Sequence, residues 1–119
     1  FDASAGVLET VFSGDIRLDD VATFLQEMQA QPWFPAPSIN DVSAVSPTIP
    51  TGDVRAIADL LRAIGPRLTG VPFAVVVSSP VLFGLVRMVE LMVDDVALIK
   101  PFRDHASARA WLANPHAES

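Results

Sequence analysis

The residues that could do chemistry cluster after segments with the composition of β-strands. In a parallel α/β sheet the carboxyl ends of the strands form the usual ligand crevice, so side chains in these positions are the first candidates for a site. The polar residues that meet this condition are Ser13, Asp15, Ser46, Thr48, Thr51, Ser78, Ser79, Arg103, Asp104 and His105. Ser78 and Ser79 would present free backbone amides at a helix N-terminus, and with the charge of Arg103 they could bind an anion such as phosphate. A serine followed by proline is also a common helix cap, and capping is the more frequent use of Ser79.

Catalytic chemistry has weaker support in these residues. His105 is the only histidine in a segment expected to be ordered, since His116 falls in the C-terminal tail. A Ser78–His105–Asp triad would need the serine in a Gly-x-Ser-x-Gly turn, and Ser78 lies between Val77 and Ser79 instead. His105 is therefore interpreted as a solvated histidine in the first turn of a helix. With two isolated histidines and no cysteine, we predict no enzyme, no cofactor and no metal site.

Composition and charge restrict the classes of function that remain. The 119 residues are 50% hydrophobic and carry a formal charge of −6, which favours one domain over residues 1–119 and argues against nucleic-acid binding. Cysteine is absent, which suits a reducing compartment. There is no run of about 18 apolar residues and no signal peptide at the start, so we expect no membrane span and a cytoplasmic location.

Strand-like and helix-like patterns alternate along the chain, each bounded by Gly, Pro, Ser or Asp. The predicted strands are Val7–Phe12, Ser38–Val45 with a bulge or edge at Asn40–Asp41, Phe73–Val77 and Val96–Phe102, with an optional hairpin partner at Phe1–Ser4. The predicted helices run from Leu18 to Met28, from a cap at Thr51 or Asp53 to Ile64, from Pro80 after a cap at Ser79 to Asp94, and from a cap at Asp104 to Asn114. This order predicts an α/β fold with a mixed, mostly parallel sheet of four or five strands and about four helices, in two or three layers.

The third predicted helix has more apolar surface than a sheet can cover. Its polar side chains, Arg87, Glu90 and Asp94, fall in one narrow sector, and the apolar side chains occupy about two-thirds of the circumference. A neighbouring helix, a second copy of the chain or a bound apolar ligand could cover the excess. Methionine suits adaptable interfaces, so the candidate interface of a homo-oligomer is Val81, Met88, Leu91 and Met92.

Two adjacent aromatic residues, Trp33 and Phe34, lie in a proline-rich connection between Pro32 and Pro37. Large rings in such a segment either close one end of the core or face a partner, and the first is the more common use.

Several short motifs resemble one bacterial family. The stretches Pro101–Asp104 and Ala108–Leu112 resemble the closing strand and helix of the SpoIIAA-like group, in which a Phe-x-Asp stretch precedes an Ala-x-x-Trp-Leu ending. Weaker similarities are found in Ser13–Ile16, Asn40–Ser43 and Phe83–Met88. The resemblance extends over nearly the whole chain and implies a STAS-like fold, a mixed sheet faced by helices.

The resemblance implies a function, but this sequence departs from the family in one functional motif. STAS domains that antagonise anti-sigma factors have an Asp-Ser-Ser-Gly turn whose serine is phosphorylated, and the matching stretch Val45–Asp53 lacks this motif. Thr51, before Gly52, is the nearest substitute, so it joins Ser78, Ser79 and Arg103 as a candidate anion or regulatory loop. The sequence and the resemblance together predict a non-enzymatic protein-interaction or regulatory module that self-associates and whose protein partner is not specified. The alternative is a carrier of a small apolar or lipid-like ligand between the third helix and the sheet.

Overall fold

A computed structural model describes residues 6–15, 17–32, 34–46 and 51–115. Strands and helices alternate in it, as the hydrophobic patterns predict. The strands are β1 (Leu8–Gly14), β2 (Ser38–Val45), β3 (Pro72–Val76) and β4 (Leu98–Phe102). The helices are α1 (Leu18–Gln29), α2 (Thr51–Ile64), α3 (Pro80–Met92) and α4 (His105–Ala113), with a short 3₁₀ turn at Gly65–Leu68 after α2. The predicted α/β class is confirmed, and most element boundaries agree within two residues.

The four strands form one sheet in the order β1-β2-β3-β4, and every described pair is parallel. The antiparallel hairpin strand expected at Phe1–Ser4 lies outside the described residues. The register between β1 and β2 shifts after Val11 and Asp41, where β2 has one extra residue. The bulge predicted near Asp41 is therefore present, but β2 lies inside the sheet rather than at its edge.

Helices cover the two faces of the sheet unequally. The side chains of α1, α2 and α3 share one core cluster with Leu8, Phe73 and Ile99 of the sheet. On the opposite face, Ala108 and Trp111 of α4 pack against Ile39, Ala74 and Val76. Sequential parallel strands joined by crossovers of one hand place all connecting helices on the same face. The described residues thus form three layers, with three helices on one side of the sheet and one on the other.

Two predicted helix caps are present. The Ser79 hydroxyl accepts hydrogen bonds from the backbone N–H groups of Val81 (3.1 Å) and Leu82 (3.4 Å), and Pro80 is the first residue of α3. Asp104 Oδ1 accepts from the Ser107 N–H (2.7 Å), and this contact holds the pKa of Asp104 below its ordinary value. Each cap satisfies donors that the first helical turn leaves without partners.

The proline-rich connection contributes to the core through Phe34, which is 8% exposed and packs with the three-helix cluster. The guanidinium of Arg67 lies 4.5 Å from the centre of its ring. The expectation that an aromatic ring closes one end of the core is confirmed for Phe34. Trp33 lies outside the described residues. None of the helices in the described ranges is long and apolar enough to cross a membrane.

Candidate functional site

An apolar cavity of about 220 Å³ lies between the sheet and α1, α2 and α3. All four strands and all three helices contribute to its wall, and among the described residues only one of the lining side chains is polar. The lining residues are Phe12, Val21, Phe24, Leu25, Met28, Asn40, Val42, Val45, Val54, Ile57, Leu61, Phe73, Val75, Leu82, Leu85, Val86, Val89 and Ile99. An engineered apolar cavity of about 150 Å³ stays dry and binds benzene, so this one has room for about nine non-hydrogen atoms.

The alternation of side chains along β3 explains why the cavity is on one face only. Phe73 and Val75 point towards the three helices and line the cavity, whereas Ala74 and Val76 point towards α4 and are almost fully buried. In the middle of the sheet the floor of the cavity consists of short side chains, including Val42 and Val75. These side chains leave space beneath the helices.

The third helix forms much of the opposite wall through Leu82, Leu85, Val86 and Val89. Part of its apolar excess therefore faces the cavity, and part packs on neighbours in the same chain. At the β1 side, the ring of Phe12 meets the edge of Phe24 at a centroid distance of 5.1 Å and an interplanar angle of 84°. This edge-to-face pair is a favourable arrangement for two half-buried rings.

Asn40 is the polar residue in the wall, and its amide is held by three hydrogen bonds. Its Nδ2 donates to Ser38 Oγ (2.9 Å) and to the Ala74 carbonyl (3.2 Å), and its Oδ1 accepts from Thr10 Oγ1 (2.9 Å). These partners come from β1, β2 and β3, so the amide links three strands beneath the cavity. The other described lining side chains are apolar and offer no hydrogen bond, which makes the cavity unsuitable for a charged group.

The structure brings three residues of the candidate anion loop, Ser78, Ser79 and Arg103, together at the carboxyl ends of β3 and β4. The N–H of Val77 donates to the Phe102 carbonyl (2.8 Å), which places the segments after β3 and β4 side by side. Ser78 Oγ donates to the Ser43 carbonyl (2.8 Å), and the Arg103 guanidinium lies 5.0 Å from the centre of the Phe83 ring. Ser79 is engaged as the α3 cap. These contacts give each side chain a structural role, and anion binding there stays a prediction.

Three other polar candidates, Ser46, Thr48 and Thr51, belong to the segment between the end of β2 and the start of α2. Thr51 is the first residue of α2, and its side chain is outside the described part of the structure. Thr48 also lies outside the described residues. The N–H of Ser46 donates to the Gly14 carbonyl (2.9 Å), which continues the contact between β1 and β2.

His105 is more than a solvated histidine, because its Nε2 lies 2.7 Å from Oδ2 of Asp41. The other carboxylate oxygen of Asp41 accepts from the hydroxyl and the backbone N–H of Ser43. The Asp41 side chain is 17% exposed and that of His105 is 45% exposed. The Ser43 hydroxyl, His105 and the Ser43 N–H together hold the pKa of Asp41 below its ordinary value of 3.8. Ser78 Oγ donates to the Ser43 carbonyl while His105 Nε2 contacts Asp41, so these contacts do not join Ser78 and His105 in a hydrolase triad.

The lowered pKa of Asp41 predicts an acid-dependent loss of stability. Because the folded-state pKa is below the unfolded value, the stabilisation is present above about pH 4 and is lost as the pH falls through the folded pKa. At pH 7 we expect Asp41→Asn to lower the free energy of unfolding by about 1 kcal/mol, and the difference from wild type should shrink towards pH 2. Urea unfolding between pH 7 and pH 2 measures both quantities.

The matched control for this prediction is Asp94→Asn, which makes the same change in net charge at an exposed position away from α4. Parallel pH profiles for the Asp41 and Asp94 variants would show that the contact with His105 and Ser43 contributes nothing specific.

The four residues of the candidate interface do not share one environment. Val81 and Leu91 are 57% and 64% exposed, whereas Met88 and Met92 are partly buried against the three-helix core. Neighbours in the same chain therefore cover part of the surface that the sequence left open. Self-association through α3 stays a prediction.

Reasoning from sequence raised an apolar ligand between the third helix and the sheet as an alternative, but it missed the part of the wall that α1 and α2 form and the contact between Asp41 and His105. The cavity depends on side chains from seven elements, and a single helix wheel shows only the contribution of α3. The Asp41–His105 contact joins residues 64 positions apart. A signal for it was available, since the alternation in β2 puts Asp41 on the same face as Ile39, and this face is the one that α4 covers.

Among the described residues, no group of three or more His, Cys, Asp or Glu side chains is placed to hold a metal ion. Comparison of the chain with protein-family models, with curated proteins and with solved structures finds no match.

Proposed function

We propose that this chain binds a compact, uncharged apolar ligand in the cavity between the sheet and α1, α2 and α3. The observation that carries the proposal is the cavity itself, with about 220 Å³ of space and a wall in which Asn40 is the single polar side chain among the described residues. Binding sites for small molecules are typically concave, mostly apolar and equipped with few polar groups. The cavity matches this description better than the polar residues at the carboxyl ends of β3 and β4 do.

The apolar wall of the cavity favours an occupant. The side chains that face this space lack, on that side, the dispersion contacts that they would make with other atoms. A molecule that fills the space recovers dispersion contacts with the side chains of seven elements, which gives binding a substantial driving force.

The size and chemistry of the wall restrict the ligand. A charged group would lose its hydration without gaining a partner, so fatty acids with a buried carboxylate and phosphorylated compounds fit poorly. A molecule of about nine non-hydrogen atoms, such as a fused bicyclic hydrocarbon, matches the volume. The proposed ligand class is therefore small and neutral.

The test uses indene and naphthalene as probes, with thermal unfolding as the measurement. At a free probe concentration of ten times Kd, binding adds about 1.4 kcal/mol to the free energy of unfolding. For a chain of this length that increment raises Tm by about 5 °C. Isothermal titration gives Kd directly.

A blocked variant makes the test specific to the cavity. Val75→Phe places a ring in the space that the probe would occupy, so it should abolish the rise in Tm while the protein still unfolds cooperatively. The proposal fails if neither probe raises Tm of the wild type, or if the Val75→Phe protein binds the probes as well as the wild type does.

The resemblance to SpoIIAA-like sequences supports a second proposal, that the chain is a STAS-like domain. The motif with the greatest weight, Ala108–Leu112, forms the part of α4 that packs on the sheet, where Trp111 lies 5.5 Å from Phe102 between ring centres. The order of strands and helices is compatible with this membership. Under this proposal the apolar cavity is a property of the domain itself, and protein partners would contact its exposed surface.

A further inference from the structure

We infer that Asn40 supplies one hydrogen-bond acceptor to the occupant of the cavity, so that the preferred ligand has a single N–H or O–H donor on an otherwise apolar frame. The inference rests on the proposed function and adds the chemical class of the ligand. It starts from the position of Asn40, the single polar side chain among the 18 described residues of the wall.

The hydrogen bonds of Asn40 decide which of its atoms is available. The Ala74 carbonyl can only accept, so it must face the Nδ2 group, and this contact fixes the orientation of the amide. Nδ2 has two hydrogens, and both are used by Ser38 Oγ and the Ala74 carbonyl. The amide therefore has no donor left for a ligand.

Oδ1 has capacity that Nδ2 lacks. A carbonyl oxygen accepts two hydrogen bonds, and within the described residues Thr10 Oγ1 is the one donor to Oδ1, at 2.9 Å. The hydroxyl proton of Thr10 is committed to this bond, so Thr10 also offers nothing but acceptor capacity. The polar spot in the wall thus matches a donor and repels an acceptor.

Asn40 would distinguish between ligands by whether they have a hydrogen-bond donor for Oδ1, not by their size. A ligand donor that enters the apolar cavity loses its bond to water, and Asn40 Oδ1 replaces that bond. Indole and indene have the same bicyclic frame of nine non-hydrogen atoms, and only indole has an N–H. The pair isolates the donor, because shape and volume are nearly constant.

The experiment measures Kd for indole and for indene by titration calorimetry, on the wild type and on Asn40→Leu. Each protein gives a ratio of the two affinities, and comparing the ratios removes the difference in hydration between the probes. We expect the relative affinity for indole to fall about fivefold in Asn40→Leu, which corresponds to one neutral hydrogen bond. Asn40→Leu also removes the links to Thr10, Ser38 and Ala74, so its folding is checked first by thermal unfolding.

A measurement on the wild type keeps the inference testable if that variant does not fold. The side-chain carbonyl carbon of Asn40 should shift in the NMR spectrum when indole is added, and it should shift much less with indene. Thr10→Val is the second variant. It removes the competing donor from Oδ1, so its relative affinity for indole should equal or exceed that of the wild type.

The outcomes separate this inference from the proposed function. If both probes bind and the affinity ratio is unchanged in Asn40→Leu, or if indole leaves the Asn40 carbonyl carbon unshifted, the acceptor role is wrong and the apolar site stands. If neither probe binds the wild type, the proposed function fails and the acceptor role fails with it. A lower relative affinity for indole in Thr10→Val would also overturn the assignment to Asn40.

Discussion

Val75→Phe should leave the free energy of unfolding unchanged or raise it by about 0.5–2 kcal/mol, because the added ring enters empty space between the sheet and the helices. Val76→Phe should lower it by about 1–3 kcal/mol or more, because Val76 is 3% exposed and packed against α4. The two substitutions are adjacent in β3 and chemically identical. They differ in the face of the sheet that receives the ring.

Urea unfolding of both variants at pH 7 measures the difference. The adjacent position is the control for any effect of phenylalanine on strand formation, since both residues belong to the same parallel strand. Equal destabilisation of the two proteins would mean that the space above Val75 is filled in solution, and it would remove the physical basis of the proposed ligand site.

Trp111→Ala should cause the largest loss, about 3–5 kcal/mol in the free energy of unfolding. Trp111 is 8% exposed and, with Ala108, anchors α4 to Ile39, Ala74 and Val76, and its ring contacts Phe102. Because α4 is the one described helix on its face of the sheet, no neighbouring helix can move in to fill the space.

Trp111→Phe is the matched control, since it keeps a ring against Phe102 and should lose much less stability. Fluorescence cannot follow α4 in either variant, so circular dichroism in urea is the appropriate measurement. The ion pair between Arg109 and Glu9 also holds α4 to the sheet, but exposed pairs of this kind contribute at most about 1 kcal/mol. A loss below that value for Trp111→Ala would show that α4 is held mainly by polar contacts.

The two faces of the sheet differ in how completely the space above them is filled, and this difference bears on function. The face under α4 has small side chains such as Ala74 matched to one large ring, Trp111, and both are buried. The other face has three helices over short floor residues, and the space between them is not filled. A domain that needed only stability would gain by filling it, so a cavity on one face is the feature that favours ligand binding.

Local patterns in the sequence determined the elements of this protein. The apolar run at Phe73–Val77 predicts a buried strand, and Ser79-Pro80 and Asp104 predict the starts of two helices, because strand burial and helix capping depend on residues close together in the chain. The acidic balance and the surplus of apolar surface on the third helix are also visible without coordinates. These signals were sufficient for the α/β class and for most boundaries.

The tertiary structure decided what covers the excess apolar surface of α3 and which groups the polar residues contact. A helix wheel leaves a neighbour, a second copy and a ligand all open as the cover of α3, because the coverage of a face depends on the positions of other elements. The same reason applies to Asp41 and His105, whose contact requires β2 and α4 to meet across the sheet. The amide of Asn40, held by three strands, becomes a candidate ligand contact only when those strands lie side by side.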